Sequence, residues 1–302
     1  MCDIWKNTER TELTENEIYR LLPQLTLLKT REVVLTGGEP LMHGGIENIC
    51  RSIKNANIKL SLVTTGLLLK RHASLVGEYV DSIIISLDGP ETIHNKIRNI
   101  PNAFRKLTVA IKAVRGYDPS KKILGRCTVQ SQNFRYLSET VTAAKYLGMD
   151  NISFLAVDVQ PGHFGRIVDW KEANLALSPD ELLELRTVLN NLYTNHAGDF
   201  ENGYIIESQD KLERKLYYYF LALTGRSNFP PVRCNAPWVA TVIETDGSVR
   251  PCYFHQPYHG NIKKFPISEI LNSENSLGWR KKLNVNSNSV CRSCAVTLAL
   301  DV

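Results

Sequence analysis

Apolar residues in the first half of the chain follow two alternating rhythms. Ile18, Leu21, Leu22, Leu25 and Leu28 recur every three or four residues, the stripe of a helix with one buried face. Thr14 and Glu17 form a Thr-x-x-Glu capping signature just before it. Short aliphatic and β-branched runs then predict strands over 32–36, 58–64, 80–87, 123–130 and 151–157. Helical stretches over 46–56, 70–78, 102–114 and 136–147 lie between them. This alternation predicts an α/β fold with a parallel sheet, closed as a barrel or open and doubly wound.

The rhythm changes after the fifth strand. Ser178-Pro179 opens a helix over 179–195, and a polar stretch leads to a second helix carrying Tyr217, Tyr218, Tyr219 and Phe220. From Pro230 onward Pro, Cys and short strands dominate. The expected division is a β/α domain over 1–165, a helical connection over 166–232 and a small α+β domain over 233–302. No internal repeat or low-complexity tract interrupts the series.

With 43% hydrophobic residues among 302, the chain can bury a large core. Its net charge of +5 comes from basic residues scattered among acids, which argues against nucleic-acid binding. No run reaches the ~20 apolar residues of a membrane span, and the polar start argues against a signal peptide. A cytoplasmic protein is expected, whose seven cysteines serve as thiols or metal ligands rather than disulfides. Cys50 sits on an amphipathic helix, and Cys127 lies opposite Arg126, Thr128 and Gln130 on its strand. Both are read as small buried hydrophobes.

In a parallel β/α barrel the site forms at the C-terminal strand ends. Those ends carry Thr36-Gly37-Gly38-Glu39-Pro40, Thr64-Thr65-Gly66, Ser86-Leu87-Asp88-Gly89 and the segment from Arg126 to Asn133. If Ser86 and Asp88 face the interior, Ile83, Ile85 and Leu87 face the helices. His94 and Arg98 follow in what reads as a connecting loop and receive no role.

Met1-Cys2-Asp3-Ile4-Trp5, the Gly-Gly-Glu-Pro strip, Thr-Thr-Gly, Ser-Leu-Asp-Gly and Gly-Arg-Cys-Thr-Val-Gln together resemble the radical S-adenosylmethionine (SAM) superfamily. That resemblance implies a partial, six-stranded TIM-like barrel. Met1-Cys2 is similar to the end of the family's three-cysteine cluster motif. Its first strand and first two cysteines are therefore expected upstream, and the chain as given is expected to be inactive. Cys2 resembles the third ligand of a [4Fe–4S] cluster. Gly37, Gly38, Glu39 and Pro40 resemble the strip that receives the SAM ammonium, where glycines admit the backbone and a carboxylate supplies an acceptor. Glu39 is expected to have little packing role there. Thr65, Ser86, Asp88, Arg126, Asn133 and Leu155 are carried over as further cofactor contacts, with Arg126 suited to a carboxylate. The implied activity is reductive cleavage of SAM to a 5′-deoxyadenosyl radical that takes hydrogen from a peptide or small-molecule substrate. A low-potential flavodoxin or ferredoxin is the implied electron donor.

Four cysteines remain. Residues 241–251 read as a hairpin delivering Cys252; Cys234 precedes it, and Cys291-Arg-Ser-Cys294 follows a helix. The arrangement resembles the SPASM/twitch extension, which implies an auxiliary [4Fe–4S] cluster. The four sulfurs are expected within one metal's reach. A structural zinc needs the same thiolate count, and four unrelated core thiols are the plainest alternative. A non-catalytic, metal-stabilised binding module is the competing function. His255 and His259 are read as surface loop residues.

Overall fold

The computed structural model describes residues 11–160 and 174–300. Its first helix, α1 (Glu15–Leu27), starts where the capping signature places it. Glu17 N–H donates to Thr14 Oγ1 at 3.3 Å, and Thr14 N–H donates to Glu17 Oε2 at 2.7 Å. The expected alternation follows: β1 (Glu32–Leu35), α2 (Ile46–Asn55), β2 (Lys59–Thr64), α3 (Ala73–Tyr79), β3 (Ser82–Ser86), α4 (Glu91–Arg98), α5 (Ala103–Tyr117), β4 (Lys122–Val129), α6 (Leu137–Tyr146) and β5 (Asn151–Ala156). Helix α4 corrects the expectation of a loop around His94 and Arg98. Its first turn has no side-chain cap, so the usual start signal is absent.

The strands lie parallel in the order β1-β2-β3-β4-β5, the sheet of a partial TIM-like barrel. Strand alternation divides them between two faces. Leu60, Leu62, Ile83, Ile85, Ile123, Cys127 and Val129 are fully buried, sharing one core with Cys50, Ile53, Val76, Leu107 and Ile111 of the covering helices. Val63, Ile84, Ser86, Leu124, Arg126, Thr128 and Leu155 occupy the other face and are only half-buried. Register aligns Val63 with Ile84 and Leu124, Ser86 with Arg126 and Ser153, and Thr128 with Leu155. An apolar floor therefore lies beneath a polar layer near the strand ends. Beyond β5, Ile205 forms a parallel bridge to Ile152, extending the sheet by one short segment.

Helix α7 (Pro179–Asn195) begins at the expected Ser178 cap. A helical run then passes through Gln209–Leu212, a π-helical turn at Glu213–Tyr218, and Tyr219–Leu223. It returns Leu212, Leu216 and Phe220 to the main core, and Tyr219 Oη donates to the Val157 carbonyl at 3.1 Å. The expected hairpin is present as β6 (Val242–Ile243) and β7 (Val249–Arg250). Val249, Tyr258 and Ile270 form a second, small core beside it. This part docks on α1: Ile267 N–H donates to Gln24 Oε1 at 2.8 Å, and Lys263 pairs with Glu17 at 3.2 Å. The expected boundary at 165/166 and the cluster cysteine Cys2 lie outside the described residues. No helix among the described residues is long and apolar enough to cross a membrane.

Candidate active site and cysteine cluster

At the end of β1 the chain turns through Gly37 at φ +123°, a conformation that strains residues bearing a side chain. Gly37 and Gly38 are exposed, leaving their backbone open to a ligand. Glu39 follows, half-buried, and its carboxylate ties two strand ends together. Oε1 accepts from Thr64 Oγ1 at 2.8 Å and Leu41 N–H at 3.3 Å, while Oε2 accepts from Thr65 N–H at 2.9 Å and Thr65 Oγ1 at 2.6 Å. Glu39 thus has the packing role that its sequence position does not reveal. Thr65, expected as a cofactor contact, is one of its donors. Pro40 opens the short turn that Glu39 caps.

Ser86 ends β3 and stands in register with Arg126 of β4. Arg126 Nε is buried without a protein acceptor, a costly condition that a bound carboxylate or hydroxyl relieves. Burial lowers the Arg126 pKa, and Glu207 and Tyr253 push it back up. Leu155 lies half-buried in the next layer, beside Thr128.

Asp88 and Asn133, also expected as cofactor contacts, are both fully buried and hydrogen-bonded within the protein, with Asp88 Oδ1 left without a partner. Arg98 Nε donates to Asp88 Oδ2 at 2.6 Å, and Asp88 N–H donates to His94 Nδ1 at 3.2 Å. Burial raises the Asp88 pKa, but Arg98 and His94 outweigh it and hold the carboxyl below its ordinary value. Asn133 Nδ2 donates to the carbonyls of Asp88 and Thr128, each at 3.0 Å, and its Oδ1 accepts from Gln130 N–H at 2.8 Å. These residues lock the loops after β3 and β4 together. They position Ser86 and Arg126 from behind.

The polar layer extends beyond the residues that the sequence reading selects. Ser153, in register with Arg126, donates through Oγ to Glu207 Oε1 at 2.9 Å. Glu207 is 3% exposed; its Oε2 accepts from Phe154 N–H at 3.0 Å, and Lys215 Nζ lies 3.6 Å from Oε1. Burial lowers the Lys215 pKa, Glu207 opposes that, and Lys211 and Arg126 reinforce it. One row therefore runs Ser86–Arg126–Ser153–Glu207–Lys215 across the inner face. The π-helical turn carrying Lys215 is the local distortion frequently found at functional sites.

Cys234, Cys252, Cys291 and Cys294 are electrostatic neighbours. Cys234 and Cys252 each raise the pKa of both Cys291 and Cys294. Burial is the main cause, pushing Cys291 up to about 11 and Cys294 up to about 12. Burial also raises Cys252, against backbone hydrogen bonds from Phe254 and His255 that lower it. Yet among the described residues no three His, Cys, Asp or Glu groups stand close enough to hold one metal ion. This corrects the expected reach of a single metal. Four half-buried, electrostatically coupled thiols are nonetheless the donor set that an Fe–S cluster takes. His259 is exposed as expected, whereas His255 is 8% exposed, with Nε2 3.2 Å from Cys291 Sγ.

Comparison with known proteins addresses both sites. Residues 1–142 match the radical SAM superfamily, and residues 234–295, which span all four cysteines, match an iron–sulfur cluster-binding SPASM domain. The AdoMet-dependent heme synthase of Methanosarcina barkeri is 27% identical, over 89% of this chain and 76% of that enzyme. A cysteine-type anaerobic sulfatase-maturating enzyme of Clostridium perfringens is 25% identical, over 94% of this chain and 76% of its own. Among solved structures, native anSMEcpe with bound AdoMet superposes with a TM-score of 0.66 at 20% identity, covering 97% of this chain and 82% of that one. SuiB of Streptococcus suis bound to precursor peptide SuiA gives 0.62 at 15%, covering 98% and 68%. The two matched regions coincide with the half-barrel and the cysteine-bearing hairpin unit, and the chain is accordingly an enzyme of the radical SAM superfamily carrying a SPASM domain.

Proposed function

We propose that this enzyme cleaves SAM reductively at the strand ends of the half-barrel and uses the product radical to take hydrogen from a peptide substrate. The observation carrying this reading is Arg126, whose buried Nε lacks a protein acceptor while Ser86 stands beside it in register. An amino-acid carboxylate satisfies both groups. Glu39, fixed by Thr64 and Thr65, sets its carboxylate beside the open Gly37 and Gly38 backbone, whose carbonyls offer acceptors to an ammonium. Leu155 and the apolar layer beneath supply a dry floor. When bound, a reduced [4Fe–4S] cluster at Cys2 and SAM supply the electron and the 5′-deoxyadenosyl radical.

A peptide substrate is supported by the solved relatives that hold one: anSMEcpe with the Kp18Cys peptide and SuiB with SuiA. The proposed organisation is a barrel over 1–165, a connection over 166–232 and an auxiliary domain over 233–302, working in the cytoplasm with a flavodoxin or ferredoxin as electron donor. Cys234, Cys252, Cys291 and Cys294 hold the auxiliary [4Fe–4S] cluster. Tyr253, next to Cys252, lies within electrostatic reach of Arg126.

Anaerobic reconstitution of the auxiliary site tests the reading without substrate. Four irons per auxiliary site are expected, and Cys291→Ser should lose them. Because burial raises the pKa of Cys252, Cys291 and Cys294, loading should release protons and strengthen as pH rises from neutral. Stoichiometric zinc with no iron uptake would favour a structural metal instead.

A further inference from the structure

His255 sits three residues after Cys252 but addresses a different cysteine. Its Nε2 lies 3.2 Å from Cys291 Sγ, within hydrogen-bond range for sulfur. The ring is buried and packs edge-on against Trp279, with centroids 4.9 Å apart and planes at 71°. Trp279 is braced in turn by Tyr258, whose hydroxyl accepts from Arg280 Nη1 at 3.0 Å. Arg250 Nη1 donates to the His255 carbonyl at 2.9 Å. Backbone and ring are therefore both held, and the imidazole has little freedom to turn from the sulfur.

A cluster-bound thiolate has no proton and can only accept a hydrogen bond. Nε2 must then carry its hydrogen, and Nε2–H points at Cys291 Sγ. The backbone N–H groups of Phe254 and His255 already donate to Cys252. The segment 252–255 thus delivers three donors to two of the four sulfurs.

We propose that His255 is a positioning residue of the auxiliary cluster, donating Nε2–H to the Cys291 sulfur and so setting the cluster's reduction potential higher than the thiolates alone would. The proposal rests on the cluster reading of the four cysteines. A donor at a ligand sulfur stabilises the extra negative charge of the reduced state, and hydrogen bonds to sulfur are among the determinants of Fe–S potentials. In the redox step the cluster gains one electron. No bond forms or breaks, and the Nε2 proton stays on the ring.

The test is a dithionite titration followed by EPR on the reconstituted chain, comparing wild type with His255→Phe and His255→Gln. Phenylalanine keeps the ring against Trp279 without a donor; glutamine restores an N–H near Nε2. His255→Phe should keep its four irons while reduction becomes about tenfold less favourable, about 59 mV for a one-electron couple. His255→Gln should recover most of that loss. Full iron with an unchanged potential in His255→Phe overturns the proposal. Loss of iron in both variants also overturns it, because His255 is then a ligand or a fold element. A wild-type chain that takes up no iron sinks the cluster reading itself, a separate and visible failure.

Discussion

Replacing Glu207 with Ala should destabilise the protein by about 3–5 kcal/mol, the range for removing one partner of a buried ion pair. Glu207 is 3% exposed and satisfies Ser153 Oγ, Phe154 N–H and Lys215 at once. Without it, Lys215 and Arg126 face each other across a poorly hydrated layer, and the Phe154 amide loses its acceptor. The Lys215 side chain is 19% exposed and recovers some hydration, which favours the lower end of the range. Denaturant unfolding measures the loss. Lys215→Met should soften it, so that the double variant loses less than the two single losses combined. A change below about 1 kcal/mol for Glu207→Ala would show an adequately hydrated carboxylate, in the range of surface pairs.

Glu39→Ala should weaken SAM binding by about tenfold to a hundredfold, equivalent to losing one charge-assisted hydrogen bond of roughly 1.5–3 kcal/mol. The structure adds a second effect. The carboxylate bridges the ends of β1 and β2, so the same substitution leaves the Thr65 amide unpaired and costs about 1–3 kcal/mol of stability. Affinity and melting temperature should fall together. Glu39→Gln separates the two effects: its amide oxygen keeps part of the tether but removes the charge an ammonium needs. A Gln variant that restores stability yet binds SAM weakly supports the dual role. If Glu39→Ala lowers the melting temperature while SAM affinity stays intact, Glu39 is only a strut between strands.

Local sequence carried the frame of the fold because its causes are local. Thr14 and Glu17 are three residues apart, and the stripes that bury Ile53 or Ile83 repeat within a single element. The buried states of Cys50 and Cys127 followed from helix and strand periodicity alone. Contacts that join distant elements left no such trace. Glu207 lies in a polar stretch without periodicity, and its partners Ser153 and Phe154 are 54 and 53 positions away. His255 reaches a cysteine 36 positions on, in a loop whose composition resembles solvent-facing sequence. Asp88 and Asn133 are a further case. Their place at strand ends suggested ligand contacts, and periodicity gave no sign that α4 and the β4 loop enclose them. A polar residue at a barrel mouth either meets the ligand or holds the loops that do. Only the packing around it decides which.

The most direct measurement is 5′-deoxyadenosine formation from SAM under anaerobic reduction. The protein should be a form in which Cys2 is joined by two further cluster cysteines, and Arg126→Ala the comparison. The parent protein should form 5′-deoxyadenosine in a SAM-dependent reaction. Arg126→Ala should retain full iron but lose about tenfold to a hundredfold in apparent SAM affinity, as expected for removing a charged hydrogen bond. A fully iron-loaded parent that produces no 5′-deoxyadenosine, or an Arg126→Ala variant with undiminished SAM affinity, would contradict the proposed function.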